Sequence, residues 1–262
     1  MIHTEGRLKL MCVSPPKDVS LSVSIALVVL SATSAMAQTS HDPAGTFRYQ
    51  LKALGALAGD AVLTVSPLSS VGGAQVRRVR LEAKTAGVAG RLYKAMGDGT
   101  TVVDSALRPL RMKWRSIIRD YPRDAELSFT KRGVEGTYRH RDKFVLSIDE
   151  KTEGWPLDAI SAYLWLPQQR LIPGARYTRP FFDGRRIGTL SARVGETRSI
   201  QVPAGLREVI AMDIVATTKR RERKVTFWIG LSDRVLYRIE VSHGILGTVQ
   251  ADLVGQRRHK AP

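Results

Sequence analysis

Between Phe47 and Val254 the sequence switches repeatedly between apolar and polar side chains with a period of two. The switching is broken every roughly 8 to 15 residues by glycine, proline, serine or aspartate turn signals. Leu110, Met112 and Trp114 alternate with Arg111, Lys113 and Arg115, which places apolar groups on one face of a strand and cations on the other. Phe47–Leu51, Ala61–Val65, Val76–Ala83, Arg186–Val194, Val209–Thr217, Val225–Ile229 and Val235–Val241 repeat the pattern, and Asp183-Gly184 marks a tight hairpin. Short strands joined by short turns cannot build parallel βαβ units, because a parallel pair needs a long crossover. The expected fold is therefore all-β and mainly antiparallel: a curved sheet or barrel-like meander of about a dozen strands. Arg91–Met96 and Thr100–Asp104 read as two strands around a Gly97-Asp98-Gly99 turn.

One segment breaks the pattern. Residues 157–166 read as a single short helix, with Asp158 as its N-cap and Pro167 as its stop. Ile160, Tyr163 and Leu164 share a face by the three-and-four spacing and Trp165 flanks it, so the helix must cover apolar surface as a lid or plug.

The N-terminus carries a separate signal. Arg7, Lys9 and Lys17 precede the apolar run Leu21–Leu30, and Ala35-Met36-Ala37 offers small residues for cleavage. Residues 1–37 are read as a secretory signal peptide, 38–44 as a lead-in, 45–255 as one antiparallel β domain and 256–262 as a basic tail. The single cysteine, Cys12, lies ahead of the apolar run, so the exported chain has no disulfide and no thiolate nucleophile. Export to the periplasm of a Gram-negative bacterium follows as the expectation, with no integral membrane span after cleavage.

A formal net charge of +17 attracts polyanions without choosing among them. In an exported protein those partners are lipid headgroups or other anionic envelope components rather than nucleic acid. The run Lys219, Arg220, Arg221, Arg223 and Lys224, interrupted by Glu222, reads as a charged hairpin tip that could contact anions.

Catalytic signatures are missing from the sequence. His41, His140, His243 and His259 have no serine elbow, cysteine or second ligand at useful spacing, and read as ordinary surface histidines. No cofactor, metal site or catalytic residue is expected. The leading expectation is a non-enzymatic envelope protein that binds an amphiphilic or lipid-like ligand in an apolar groove under the helix. The alternative is a structural or interaction protein with a packed core, docking on anionic envelope components through its basic surface.

The ordered set Phe47-Arg48-Tyr49, Ala58-Gly59-Asp60-Ala61, Leu107-Arg108-Pro109-Leu110, Asp158-Ala159-Ile160-Ser161-Ala162-Tyr163, Pro173-Gly174, Val202-Pro203-Ala204-Gly205, Phe227-Trp228-Ile229 and Leu246-Gly247-Thr248-Val249 resembles the exported bacterial family catalogued as domain of unknown function 3108. The resemblance implies an envelope protein of antiparallel β architecture, and it transfers no functional residue.

Overall fold

A computed structural model of the protein describes residues 41–259 apart from 93, 142–143, 220 and 244–246. The leader at 1–37 lies outside the described residues. Nine strands come first: β1 (Gly45–Ala53), β2 (Ala56–Val65), β3 (Ser69–Val71), β4 (Ala74–Thr85), β5 (Ala95–Asp104), β6 (Pro109–Ile118), β7 (Tyr121–Thr130), β8 (Gly133–His140) and β9 (Phe144–Lys151). After a helical segment come β10 (Arg176–Phe182), β11 (Ile187–Val202), β12 (Gly205–Thr218), β13 (Arg221–Gly230), β14 (Leu236–His243) and β15 (Gly247–Arg258).

All of them join one 15-stranded sheet, a few more strands than the roughly dozen expected from turn spacing. The last strand returns to the first, with Gly45 opposite Arg258 and Ala53 opposite Val249. Gln256, Arg257 and Arg258, assigned from sequence to the tail, thus continue β15, and Arg258 donates to the carbonyls of Asp42 and Asp233 at 2.9 and 3.0 Å.

The sheet does not close, and its free edges are β9 and β10. Side chains join what backbone does not. Arg186 Nη1 lies 2.6 Å from Glu150 Oε1, and the Ile187 amide donates to Glu150 Oε2 at 3.2 Å. Phe182 packs edge-on to Phe129 within a cluster that also holds Leu127, Val134, Tyr138 and Ile148. Leu157 covers part of the β10 edge, donating to the Pro180 carbonyl and accepting from the Phe182 amide, which protects an edge that could otherwise pair with another chain.

Strict antiparallel pairing sends successive turns to opposite rims. The β1–β2, β4–β5, β6–β7, β8–β9, β10–β11 and β12–β13 connections share one rim, and β5–β6, β7–β8, β11–β12 and β13–β14 share the other.

Two departures from the expected strands have physical causes. Residues 97–99 are not a turn, and β5 runs through them unbroken. The Trp114 ring of β6 lies flat on this part of β5: a Cβ on Gly97 would sit 2.7 Å from Trp114 Cζ2, and one on Gly99 would overlap the ring outright. The glycines are there to admit an indole. The second departure is a helix, α1 (Gly87–Leu92), where the sequence suggests the start of a strand.

The expected helix forms as α2 (Ala159–Trp165), extended by a 3-10 turn at Leu166–Gln168. Asp158 is its N-cap in a reciprocal capping box: the Ser161 amide donates to Asp158 Oδ1 at 2.6 Å, and the Asp158 amide donates to Ser161 Oγ at 2.9 Å. Thr101 of β5 adds a hydroxyl bond to Oδ2 at 2.9 Å. Apart from these polar contacts the helix is apolar, with Ile160, Ser161, Ala162 and Leu164 buried, Tyr163 and Trp165 half-buried and Ala159 exposed. Ile160 and Leu164 join one core cluster with Phe47, Leu63, Val103 and Leu253. Leu157, Ala162 and Leu166 join a second with Val194, Ile210, Met212 and Ile229.

Burial raises the Asp158 carboxyl above the ordinary carboxylate range, and the Ser161 and Thr101 bonds only partly oppose this. Such a group binds its proton more tightly folded than unfolded, so its contribution favours folding at acid pH. That contribution falls away as pH rises from the ordinary carboxylate range through the raised value. Asp158→Asn keeps an acceptor for Ser161 and removes this titration; it is expected to lie within about 1 kcal/mol of the parent in urea unfolding. Asp158→Ala loses the cap and strands the Thr101 hydroxyl, at about 1–3 kcal/mol. Equal losses for the two variants would overturn the capping role.

Candidate functional site

Helix α2 fills the interior only part of the way. Toward the rim that carries the β1–β2 and β8–β9 turns, the sheet encloses an open cleft of about 1240 Å³. Its apolar lining comes from Met112, Trp114 and Ile118 of β6, Ala125 of β7, Leu146 of β9 and Ile187 of β11. These are the inward members of the period-two alternation, so Arg111, Lys113 and Arg115 point outward.

The same cleft also carries cationic side chains. Arg123 of β7 sits directly across the ladder from His140 of β8. Arg185, from the β10–β11 turn, donates to the Tyr138 hydroxyl at 2.8 Å while its guanidinium lies 4.5 Å from the Tyr138 ring centroid. Asp183 turns its carboxylate toward the Arg185 and Arg186 amides, at 2.9 Å each, and Glu150 is held by Arg186. Neither acid makes a hydrogen bond to the Arg123 or Arg185 side chain.

Two polar atoms in this cluster, Arg123 Nε and His140 Nδ1, are shielded from water and have no hydrogen-bond partner. Desolvation, with the neighbouring Arg123, Arg141 and Arg185 charges, holds the His140 imidazole below its ordinary pKa and favours the neutral ring. The arrangement offers convergent positive charge and unmet hydrogen-bonding capacity over an apolar floor.

The sequence-selected residues divide between two places. Lys219 of the β12–β13 turn and Arg221 and Arg223 of β13 line the cleft mouth; Arg221–Lys224, expected in the tip, are paired strand because the ladder to β12 extends to Thr218, Lys224 pairs with Glu222 at 3.5 Å, and Arg220 lies outside the described residues. Asp158, Ile160, Tyr163, Leu164 and Trp165 contribute nothing to the cleft lining. Ile160 and Leu164 are instead packed in one core cluster and Ala162 in the other. Tyr163 bonds through its hydroxyl to the Tyr49 hydroxyl, which donates to the Leu236 carbonyl at 2.9 Å. Burial raises both phenols above their ordinary pKa. Trp165 packs edge-on to Tyr177, with the Arg179 guanidinium 5.0 Å from its ring.

Sequence reasoning missed Arg123 and Arg185, and placed His140 among surface histidines. A usable signal was present for two of them: Arg123 is in phase with inward Ala125, Leu127 and Phe129, and His140 with inward Val134 and Tyr138. Among the described residues no group of three or more histidines, cysteines or carboxylates could hold a metal ion, and no helix is long and apolar enough to cross a membrane.

Comparison with solved structures supports the architecture. A β-barrel-like protein of the family of unknown function DUF1849 from Brucella abortus aligns at 10% identity and TM-score 0.57, covering 83% of this chain and 98% of that one. At that identity the likeness concerns the fold alone. The hypothetical lipoprotein YmcC from Escherichia coli also aligns, at 13% identity and TM-score 0.31 over 87% of this chain and 92% of its own. No curated protein matches the chain. Residues 47–254 match the profile of the family of proteins of unknown function DUF3108, and the chain belongs to that family.

Proposed function

We propose that the protein is a non-enzymatic, exported envelope protein that binds an anionic amphiphile in the cleft. The alkyl part lies against Met112, Trp114, Ile118 and Leu146, and the anionic head meets Arg123, His140 and Arg185. The observation that carries this reading is the convergence of Arg123 and Arg185 with His140 beside an apolar lining in one cleft. An anionic head can take charge-assisted hydrogen bonds from the two guanidinium groups, roughly twice as strong as neutral ones. Ligand pockets commonly run about 300–1,000 Å³, so a cleft of about 1240 Å³ admits a long or branched chain. Such a space speaks against an interaction protein with a fully packed interior. The basic leader, apolar run and small-residue site at 1–37 support export.

The test is a calorimetric titration with dodecyl phosphate below its micellar concentration, with dodecyl maltoside as the uncharged control. Saturable one-to-one binding of the phosphate, weakened by salt and at least tenfold tighter than the maltoside, is expected. Equal affinity for the two, or no saturable binding of either, would discard the reading.

A further inference from the structure

The rim around the cleft mouth displays large apolar side chains on four separate connections. Leu54 and Leu57 flank the β1–β2 turn, Met96 lies at the start of β5, Tyr121 begins β7, and Phe144 and Val145 begin β9. Their exposures run from 40% for Tyr121 to 75% for Leu54. The other exposed large apolar residues among those described, Leu68, Val71, Ile172, Leu206 and Val254, lie away from the mouth.

What sets this rim apart is the charge beside its apolar tips. The cleft lining carries Lys84, Arg123, Arg185, Arg186, Lys219, Arg221 and Arg223 against only Glu150 and Asp183, and both carboxylates are already engaged. Apolar tips amid excess cations match the layered chemistry of an anionic bilayer, where headgroup charge lies outside acyl chains.

We propose that this rim is a docking surface for an anionic membrane, with Leu54, Leu57, Tyr121, Phe144 and Val145 entering the headgroup–acyl boundary and Lys219, Arg221 and Arg223 contacting lipid headgroups. The docked orientation turns the cleft mouth toward the bilayer, so an amphiphile passes between membrane and cleft without exposing its alkyl chain to water. The passage rests on the amphiphile-binding reading; the docking does not.

The test is co-sedimentation of the purified protein with vesicles of phosphatidylglycerol in phosphatidylcholine, compared with phosphatidylcholine alone. The parent is expected to partition onto the anionic vesicles in a salt-sensitive manner. Each basic residue near such a surface is worth about fivefold in partitioning, so Lys219→Glu/Arg221→Glu should lose at least tenfold. Leu54→Glu/Val145→Glu should lose as much, although neither residue lines the cleft. Val71→Glu/Leu206→Glu, with the same charge change away from the mouth, should bind as the parent corrected for net charge. Rim variants that bind like the parent, or a control that loses as much as they do, would overturn the proposal. The dodecyl phosphate titration keeps the two ideas apart. If that titration fails while the vesicle pattern holds, the cleft reading falls and the docking surface stands.

Discussion

Leu166→Ala is expected to remove about 3–5 kcal/mol of folding stability. Leu166 is 0% exposed and sits where α2 passes into its 3-10 turn, packed in the cluster of Val194, Ile210, Met212 and Ile229. Those neighbours belong to β11, β12 and β13, whose backbones are fixed by ladders on both sides. They cannot move in to fill the space three lost carbons leave, so the cavity cost adds to the lost transfer energy. A domain is ordinarily stable by about 5–15 kcal/mol, so this one truncation takes a large share of the total. The matched control is Leu206→Ala, at a leucine that is 64% exposed, expected to change stability by less than about 0.5 kcal/mol. Urea unfolding followed by tryptophan emission checks both. A Leu166→Ala midpoint no lower than that of Leu206→Ala would show that the helix is not an interior plug.

The meander was legible because each strand with one wet face writes its own alternation into the chain. Met112 and Trp114 against Arg111, Lys113 and Arg115 is the plainest case, and the hairpin at Asp183-Gly184 formed where expected, while the β12–β13 ladder runs on to Thr218 and Arg221, so Arg221–Lys224 of the expected tip are strand. Where the reading failed, the same letters had two physical meanings. Gly97-Asp98-Gly99 spells a turn, but two glycines at alternate strand positions equally spell room for a neighbour's ring, and only the β5–β6 register brings Trp114 over them. Helix α2 was legible through its local capping chemistry. Its depth was not, because an apolar helix looks alike in sequence whether it roofs a groove or fills it. The cleft was the least legible feature. Arg123 and His140 face each other through the β7–β8 hairpin register, but Arg185 reaches them only because the β10–β11 hairpin leans on the inner face of β7 and β8, through Phe182 on Phe129 and Arg185 on Tyr138. That juxtaposition comes from sheet curvature, and no spacing in the chain encodes it.

Arg123→Glu/Arg185→Glu is expected to weaken dodecyl phosphate binding at least a hundredfold. A hydrogen bond to a charged group contributes about 1.5–3 kcal/mol, so two lost together correspond to about 3–6 kcal/mol. Each 1.4 kcal/mol is roughly tenfold in affinity, and the introduced carboxylates add repulsion. The fold should tolerate the change, since the parent holds these cations close to the Arg141 charge beside His140. Arg111→Glu/Arg115→Glu makes the same net-charge change on the outward face of β6 and should weaken binding only severalfold, through the long-range field. A hundredfold loss in both variants would mean that net charge, rather than the cleft cluster, governs affinity. The pH profile supplies a second readout. Free His140 has a lowered pKa; a bound anion opposes the neighbouring cations and raises it, so the complex takes up a proton. Affinity for a fixed-charge probe, dodecyl sulfate, should therefore rise as pH falls through the imidazole range of the complex, and level off below that of the free protein. His140→Gln, which keeps a hydrogen-bonding side chain but cannot titrate, should flatten the profile while Arg123 and Arg185 still hold the probe. A profile unchanged by His140→Gln would place the anion elsewhere in the cleft.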